Sequence, residues 1–302
     1  ILINLNYMST LSKILIKKDR SCKSIWFMRQ AGRYLPEFRK IRSLNKNFIK
    51  LCLSSNLSSE ISLQPIKRFN LDSAIIFSDI LMVPFALGQE VNFTKGQGPI
   101  LSNFDSKIFI NNNKTSFTKK LQPVYEAIAK TRKKLEKNKS LIGFIGAPWT
   151  LLIYMLNLKL NTQEINIKKL KDKEIEVKLI LEQLNDYLCT HIDNQINAGA
   201  DVVQIFDSWA GLIPNKSLSH FCYTPNLKIV EFCKKKKIPV ICFPKGIAEN
   251  YLEFNKIVKP DGLSLDYNLD ISWVKQNLTQ TVLQGGMDPK FLLKPEEEMY
   301  NE

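Results

Sequence analysis

Seven short apolar runs separated by longer amphipathic stretches constrain the fold more than any other feature of this chain. They are Ile25–Met28, Ser73–Phe77, Leu141–Phe144, Val202–Phe206, Val240–Phe243, Gly262–Leu265 and Val282–Gln284. Each is short and largely apolar on both faces, as expected of a parallel strand buried beneath helices. The intervening segments have helical periodicity. Leu121–Lys137 sets Leu, Val, Ala and Ile at helical spacing, with Pro123 expected in the first turn, where a missing N–H is tolerated. Ile175–Ala198 repeats the pattern over about six turns. This alternation predicts βα units, and no domain boundary interrupts it, so residues 1–302 read as one domain. The expected fold class is a (β/α)8 TIM-type barrel with its last βα unit missing, because only seven strands can be counted. The eighth would follow residue 302, and Pro295–Tyr300 reads as a helix cut short. Phe93–Asn113 reads as a long irregular excursion, and residues 1–7, which precede Met8, as upstream sequence.

Composition narrows the function classes. The chain carries 43 Lys and Arg against 29 Asp and Glu, a net charge of +14. Such an excess can serve nucleic acid, a membrane surface or a polyanionic small substrate. The basic residues are scattered, which favours a solvated surface over a nucleic-acid groove. Their one compact run, Lys234–Lys237, is expected on a loop. The six cysteines form no C-x-x-C pair and no Cys/His cluster, so free thiols in a reducing, cytoplasmic compartment are expected, and no metal site. No apolar run approaches the roughly 18 residues needed to span a bilayer.

In a barrel of this kind chemistry belongs to the C-terminal ends of the strands. The first run is followed by Arg29 and Arg33 around Gly32. Planar, permanently charged donor forks point to carboxylate or phosphate ligands, although two solvated surface charges are the commoner outcome for such a pair. Later runs lead into Ser78 and Asp79, into Gly146 and on to Tyr154, into Asp207 and Ser208, and into Lys245, Asp266 and Asp288. Helix capping by itself accounts for many such Ser and Asp residues. The glycines near Gly146 lack a following Gly-Lys-[Ser/Thr], so no P-loop is present. Tyr154 reads by spacing as core and Lys245 as a solvated charge. His191 and His220 lie away from every strand end and are not spaced for metal ligation or for a triad with Ser208.

Beyond spacing, Trp26-Phe27-Met28-Arg29-Gln30-Ala31-Gly32-Arg33-Tyr34-Leu35-Pro36 resembles the first signature of the uroporphyrinogen decarboxylases, and Gly143-Phe144-Ile145-Gly146-Ala147-Pro148-Trp149-Thr150 the second. Ile75–Leu81, Phe206–Gly211, Phe243–Gly246 and, more weakly, Gly285–Pro289 resemble four further blocks in the same order. The resemblance implies a barrel enzyme, usually a homodimer, that needs no metal or organic cofactor. It implies conversion of the four acetates of uroporphyrinogen III to methyls, giving coproporphyrinogen III in haem synthesis. Position by position, Arg29 and Arg33 match the arginines that bind substrate carboxylates, and Asp79 matches the aspartate that faces the pyrrole N–H groups. Tyr154 and Ser208 match polar cleft residues. The resemblance thus implies Asp79, Arg29 and Tyr154 as catalytic and all five residues as substrate-binding.

Two departures accompany it. Gly286 and Met287 stand where the family commonly has Asn and Leu, and nothing here matches the family's glycine-flanked histidine on a last strand. Two other readings compete. One is a related barrel that transfers methyl groups to thiols or corrinoids, against which the missing Cys/His cluster counts. The other is an inactive fragment or basic binding module, for which salt-sensitive nucleic-acid affinity would be diagnostic.

Overall fold

Six of the seven predicted strands pair into one sheet in the computed structural model, which describes residues 8–19, 21–94, 98–161 and 164–300. Residues 1–7, expected to be upstream sequence, lie outside the described residues. In chain order the strands are β1 (Ser73–Ile75), β2 (Val91–Thr94), β3 (Gly98–Leu101), β4 (Ser140–Gly146), β5 (Val202–Asp207), β6 (Val240–Pro244), β7 (Gly262–Leu265) and β8 (Val282–Gly285). The main sheet runs β1-β4-β5-β6-β7-β8 with every neighbour parallel, and β2 and β3 form a separate antiparallel hairpin. The hairpin and the helix Ser106–Ile110 replace the irregular excursion expected over 93–113.

The sheet is curled. Flat, β5 and β8 would stand about 14 Å apart across three strand spacings. Instead Gln284 Nε2 donates directly to Gln204 Oε1 at 3.3 Å, and also to Ser264 Oγ at 2.8 Å. Curvature brings these inward-facing side chains together, as in a barrel interior. Beneath them Ile75, Ile142, Val202 and Ile241 pack on Leu11 and Leu15 of the helix Thr10–Lys17, which closes the floor. On the outer face the helices Ser55–Phe69, Lys114–Lys134, Glu174–Asn197, Thr224–Lys235 and Tyr251–Val258 cover the sheet. Phe117, Leu121, Val124, Leu184 and Leu188 are fully buried there.

Three local expectations change. Ile25–Met28 forms no strand, and Met28 already lies in a turn. Ile25 O does accept the Asp72 backbone N–H at 3.0 Å, but the Asp72 carboxylate takes the Ile25 N–H at 2.6 Å and the Gln30 amide takes up both the Phe27 N–H and the Ser73 carbonyl, so side chains occupy the bonds that would continue a ladder. The run is not buried either, since Ile25, Phe27 and Met28 are exposed and only Trp26 turns inward, donating from Nε1 to Gln284 Oε1 at 2.9 Å. Pro123 lies mid-helix, because Asn113 caps the Ser116 N–H and starts that helix at Lys114, well before Leu121. Lys234 and Lys235 close a helix rather than occupy a loop, a placement that complements its C-terminal dipole.

Candidate active site

The two arginines sit on consecutive turns. Gln30 N–H bonds Phe27 O at 3.1 Å, closing a turn that carries Arg29, and Leu35 N–H bonds Gly32 O at 3.0 Å, closing one that carries Arg33. Gln30 is the anchor of both. It is buried, its amide nitrogen donates to Ser73 O of β1 at 3.0 Å, and its carbonyl accepts from the Tyr34 hydroxyl. Sequence reasoning passed over it, and its place inside the arginine block was the only available signal.

The charges are arranged unequally. Arg39, Arg42, Arg68 and Arg132 all spend their guanidinium hydrogens on carbonyls or carboxylates of the chain. Arg29 and Arg33 are exposed, and neither guanidinium has a hydrogen-bond or ion-pair partner among the described residues. A guanidinium brings five donors in a planar fork, so both remain available to an anionic ligand.

Asp79 follows β1 in the loop leading to the helix Met82–Ala86. Its Oδ1 accepts from Leu81 N–H at 2.9 Å, an Asx turn that fixes the carboxylate, while Oδ2 has no partner among the described residues. Burial lifts its pKa to about 6, and the Leu81 N–H and the Arg29 charge only partly offset this. Tyr154, on the helix Pro148–Met155, is half-buried rather than core. Burial raises its phenol pKa, and the fields of Asp79 and Arg29 both reach it. Arg29, Asp79 and Tyr154 therefore form one electrostatic group. Arg33 and the exposed Ser208 have no side-chain bond to that group.

Capping does not explain two of the strand-end carboxylates. Asp207 is fully buried, with Oδ1 accepting from Thr150 Oγ1 at 2.7 Å and Oδ2 from Asn226 Nδ2 at 3.4 Å. Asp266 accepts from Gly246 N–H at 2.6 Å and from the Tyr251 hydroxyl at 3.1 Å. It thereby pins the loop after β6, whose backbone passes so near Gly211 that a Cβ there would lie 2.6 Å from Gly246 O. Asp288 does cap, accepting the Lys290 N–H at 2.9 Å at the start of the short helix Pro289–Leu293, whereas the free Oδ2 of Asp79 sets it apart. Lys245 is exposed, as its solvated reading requires. The buried ring of His191 bonds the Tyr125 hydroxyl at 3.0 Å, and burial lowers its pKa to about 3. Among the described residues no group of three or more His, Cys, Asp or Glu is placed to hold a metal ion. A recess too narrow to hold a water molecule lies beside Ser78, Asp79 and Phe144. A wider groove, about 970 Å³, runs between outer helices past Lys114, Asn185 and Lys235 and joins none of these groups.

Comparison with known proteins places the chain in a family. The chain is 41% identical over 286 residues to the uroporphyrinogen decarboxylase of Rickettsia felis, covering 93% of this chain and 82% of that one. It is 40% identical over 301 residues to that of Orientia tsutsugamushi, covering 98% and 87%. A methyltransferase from Methanosarcina mazei has the same fold, with a TM-score of 0.70 at 15% identity over 91% of this chain and 81% of the other. The sequence pattern of uroporphyrinogen decarboxylase (URO-D) matches residues 7–302, and the chain belongs to that family.

Proposed function

We propose that this chain decarboxylates uroporphyrinogen III to coproporphyrinogen III, with Asp79 as the charge that stabilises the reacting pyrrole and Arg29 and Arg33 as carboxylate anchors. The observation that carries this reading is Asp79 itself. It is a fixed carboxylate at a strand end with one oxygen bound to Leu81 N–H, the other open, and the Arg29 charge nearby. The open oxygen suits pyrrole N–H donors. Protonation of a pyrrole carbon makes the ring an electron sink. The bond between the acetate methylene and its carboxylate then breaks, the electron pair flows into the ring, and CO2 leaves. A proton added at the methylene gives the methyl and the ring carbon then releases the proton it took up, so each acetate consumes one proton overall. The transient positive ring needs a negative partner already in place, which Asp79 supplies. The ring is its own electron sink, so the chemistry calls for no cofactor.

Arg29 and Arg33 hold the carboxylates that decide which acetate lies over Asp79. Arginine is a poor acid near neutral pH, so Arg29 acts by binding and by orienting a proton donor. Tyr154, kept protonated by its raised pKa, offers its hydroxyl to the same substrate, and Ser208 adds a further polar contact. A homodimer in a reducing cytoplasm belongs to this reading. Exposed Phe27, Tyr34, Tyr267 and Met287 offer apolar surface to a second copy, and all six thiols are unpaired.

The test is turnover of chemically reduced uroporphyrinogen III without added metal. Asp79→Asn is expected to keep binding the macrocycle while losing turnover by about a hundredfold or more. Normal turnover in that variant would remove Asp79 from the chemistry.

A further inference from the structure

We propose that Thr150 and Asp207 are a positioning pair that locks the Ser208–Trp209 turn to the helix bearing Tyr154, setting the spacing of two groups on the substrate cleft. The inference rests on the function proposed above.

Both members are buried, Thr150 at 0% and Asp207 at 1% exposure, so neither can touch a substrate. Their bonds run in one direction. Thr150 Oγ1 donates to Asp207 Oδ1 at 2.7 Å and accepts from the Trp209 N–H at 3.2 Å. A hydroxyl has one hydrogen, and an ionised carboxylate can only accept. With that hydrogen committed to Asp207, a lone pair must face Trp209 N–H. The other side of the residue is held too, since Trp149 Nε1 donates to Trp209 O at 2.9 Å. Two consecutive residues in the first turn of the helix Pro148–Met155 thus grip both peptide groups of Trp209. Tyr154 lies one turn further along, with its ring 6.0 Å from that of Trp209 in an edge-on contact. Ser208 immediately precedes the gripped residue.

The second carboxylate oxygen is engaged as well. Asn226 Nδ2 reaches Asp207 Oδ2 at 3.4 Å and also bonds Cys222 O at 2.8 Å, which ties the pair to the segment before the helix Thr224–Lys235. Burial raises the Asp207 pKa to about 6, so the fold carries a carboxylate that an apolar side chain would replace at lower energy. A group retained against that penalty, one bond from a turn of the cleft, fits orientation better than packing.

The experiment compares Thr150→Val, Thr150→Ser, Asp207→Asn and the Thr150→Val/Asp207→Asn double variant with the wild type. It measures kcat, KM and thermal midpoint with uroporphyrinogen III. Thr150→Val is expected to lower kcat by about tenfold or more, as a misplacement near 1 Å can. Thr150→Ser should restore most of it, and the double variant should be no slower than the worse single one, as for residues acting as a unit. A folded Thr150→Val with unchanged kcat, or additive losses in the double variant, would overturn the pairing. If Thr150→Val does not fold, Asp207→Asn against wild type decides on the same criterion of kcat. A wild type inactive on uroporphyrinogen removes the proposed function and this inference with it. Active wild type alongside unaffected variants removes the positioning role alone.

Discussion

Asp79 shows how a single side chain can set function against stability. An ordinary Asp has a value of 3.8, and burial moves this one to about 6. Between those values the folded chain keeps a proton that the unfolded chain has released, so stability falls as pH rises through that window. Above it the full penalty is present. Asp79→Asn should therefore be the more stable protein at about pH 7.5, by on the order of 1–2 kcal/mol once solvent screening of a half-buried group is allowed for. The gap should close as pH falls toward about 4. Urea titrations at both pH values check this, and a gap independent of pH would mean the penalty is not electrostatic. Arg29 acts in the opposite sense, because its guanidinium has no partner to lose among the described residues. Arg29→Ala should leave stability within about 0.5 kcal/mol of wild type. It should raise KM roughly tenfold to a hundredfold, the loss of a charge-assisted carboxylate contact. Unchanged KM would show that no substrate carboxylate rests there.

At the scale of elements, the helix Thr10–Lys17 and strand β7 fit each other too closely for either to change alone. Leu15 is 1% exposed, and a Cβ on Gly262 would lie 2.7 Å from its Cδ2 and 3.1 Å from Ile241 Cγ1. Leu15→Ala should cost about 2–4 kcal/mol, since transfer energy is lost and the floor of the sheet cannot fully collapse. Gly262→Ala should cost about 1 kcal/mol or more by overpacking. Combined, the two should cost less than their sum, because the truncated leucine leaves room for the new methyl. Denaturant midpoints of the four proteins measure the coupling, and strict additivity would place the contact elsewhere. Sequence periodicity reached the elements themselves. Glu174–Asn197 and Gly262–Leu265 form where expected. Ile25–Met28 reads as apolar in the same way, yet its Ile25 and Phe27 N–H groups go to the side chains of Asp72 and Gln30. Local composition carries no sign of that competition.

At the scale of the molecule, a net charge of +14 suits a polyanionic substrate but does not by itself name one. Scattered lysines act through a long-range field, whereas Arg29 and Arg33 act on contact. Raising salt shortens the Debye length from about 10 Å at 0.1 M to about 3 Å at 1 M. The KM for uroporphyrinogen should then rise several-fold while kcat stays nearly constant, because the long-range steering field is screened and Asp79 acts on the bound ring at contact distance, where salt screens far less. A kcat falling in step with salt would mean that the catalytic charge is solvent-screened too.

By itself the sequence determined the βα alternation, the positions of six strands and the blocks that carry Arg29, Asp79, Tyr154 and Ser208. These are legible because strand burial and strand-end chemistry leave their pattern in consecutive residues. Only the tertiary structure decided that Arg29 and Asp79 share a field across 50 positions of chain, that Asp207 faces inward to Thr150 instead of capping a helix, and that Gln284 meets Gln204 across the curled sheet. The last depends on how far the sheet curls, and all three depend on packing between segments far apart in the chain, which no local stretch encodes.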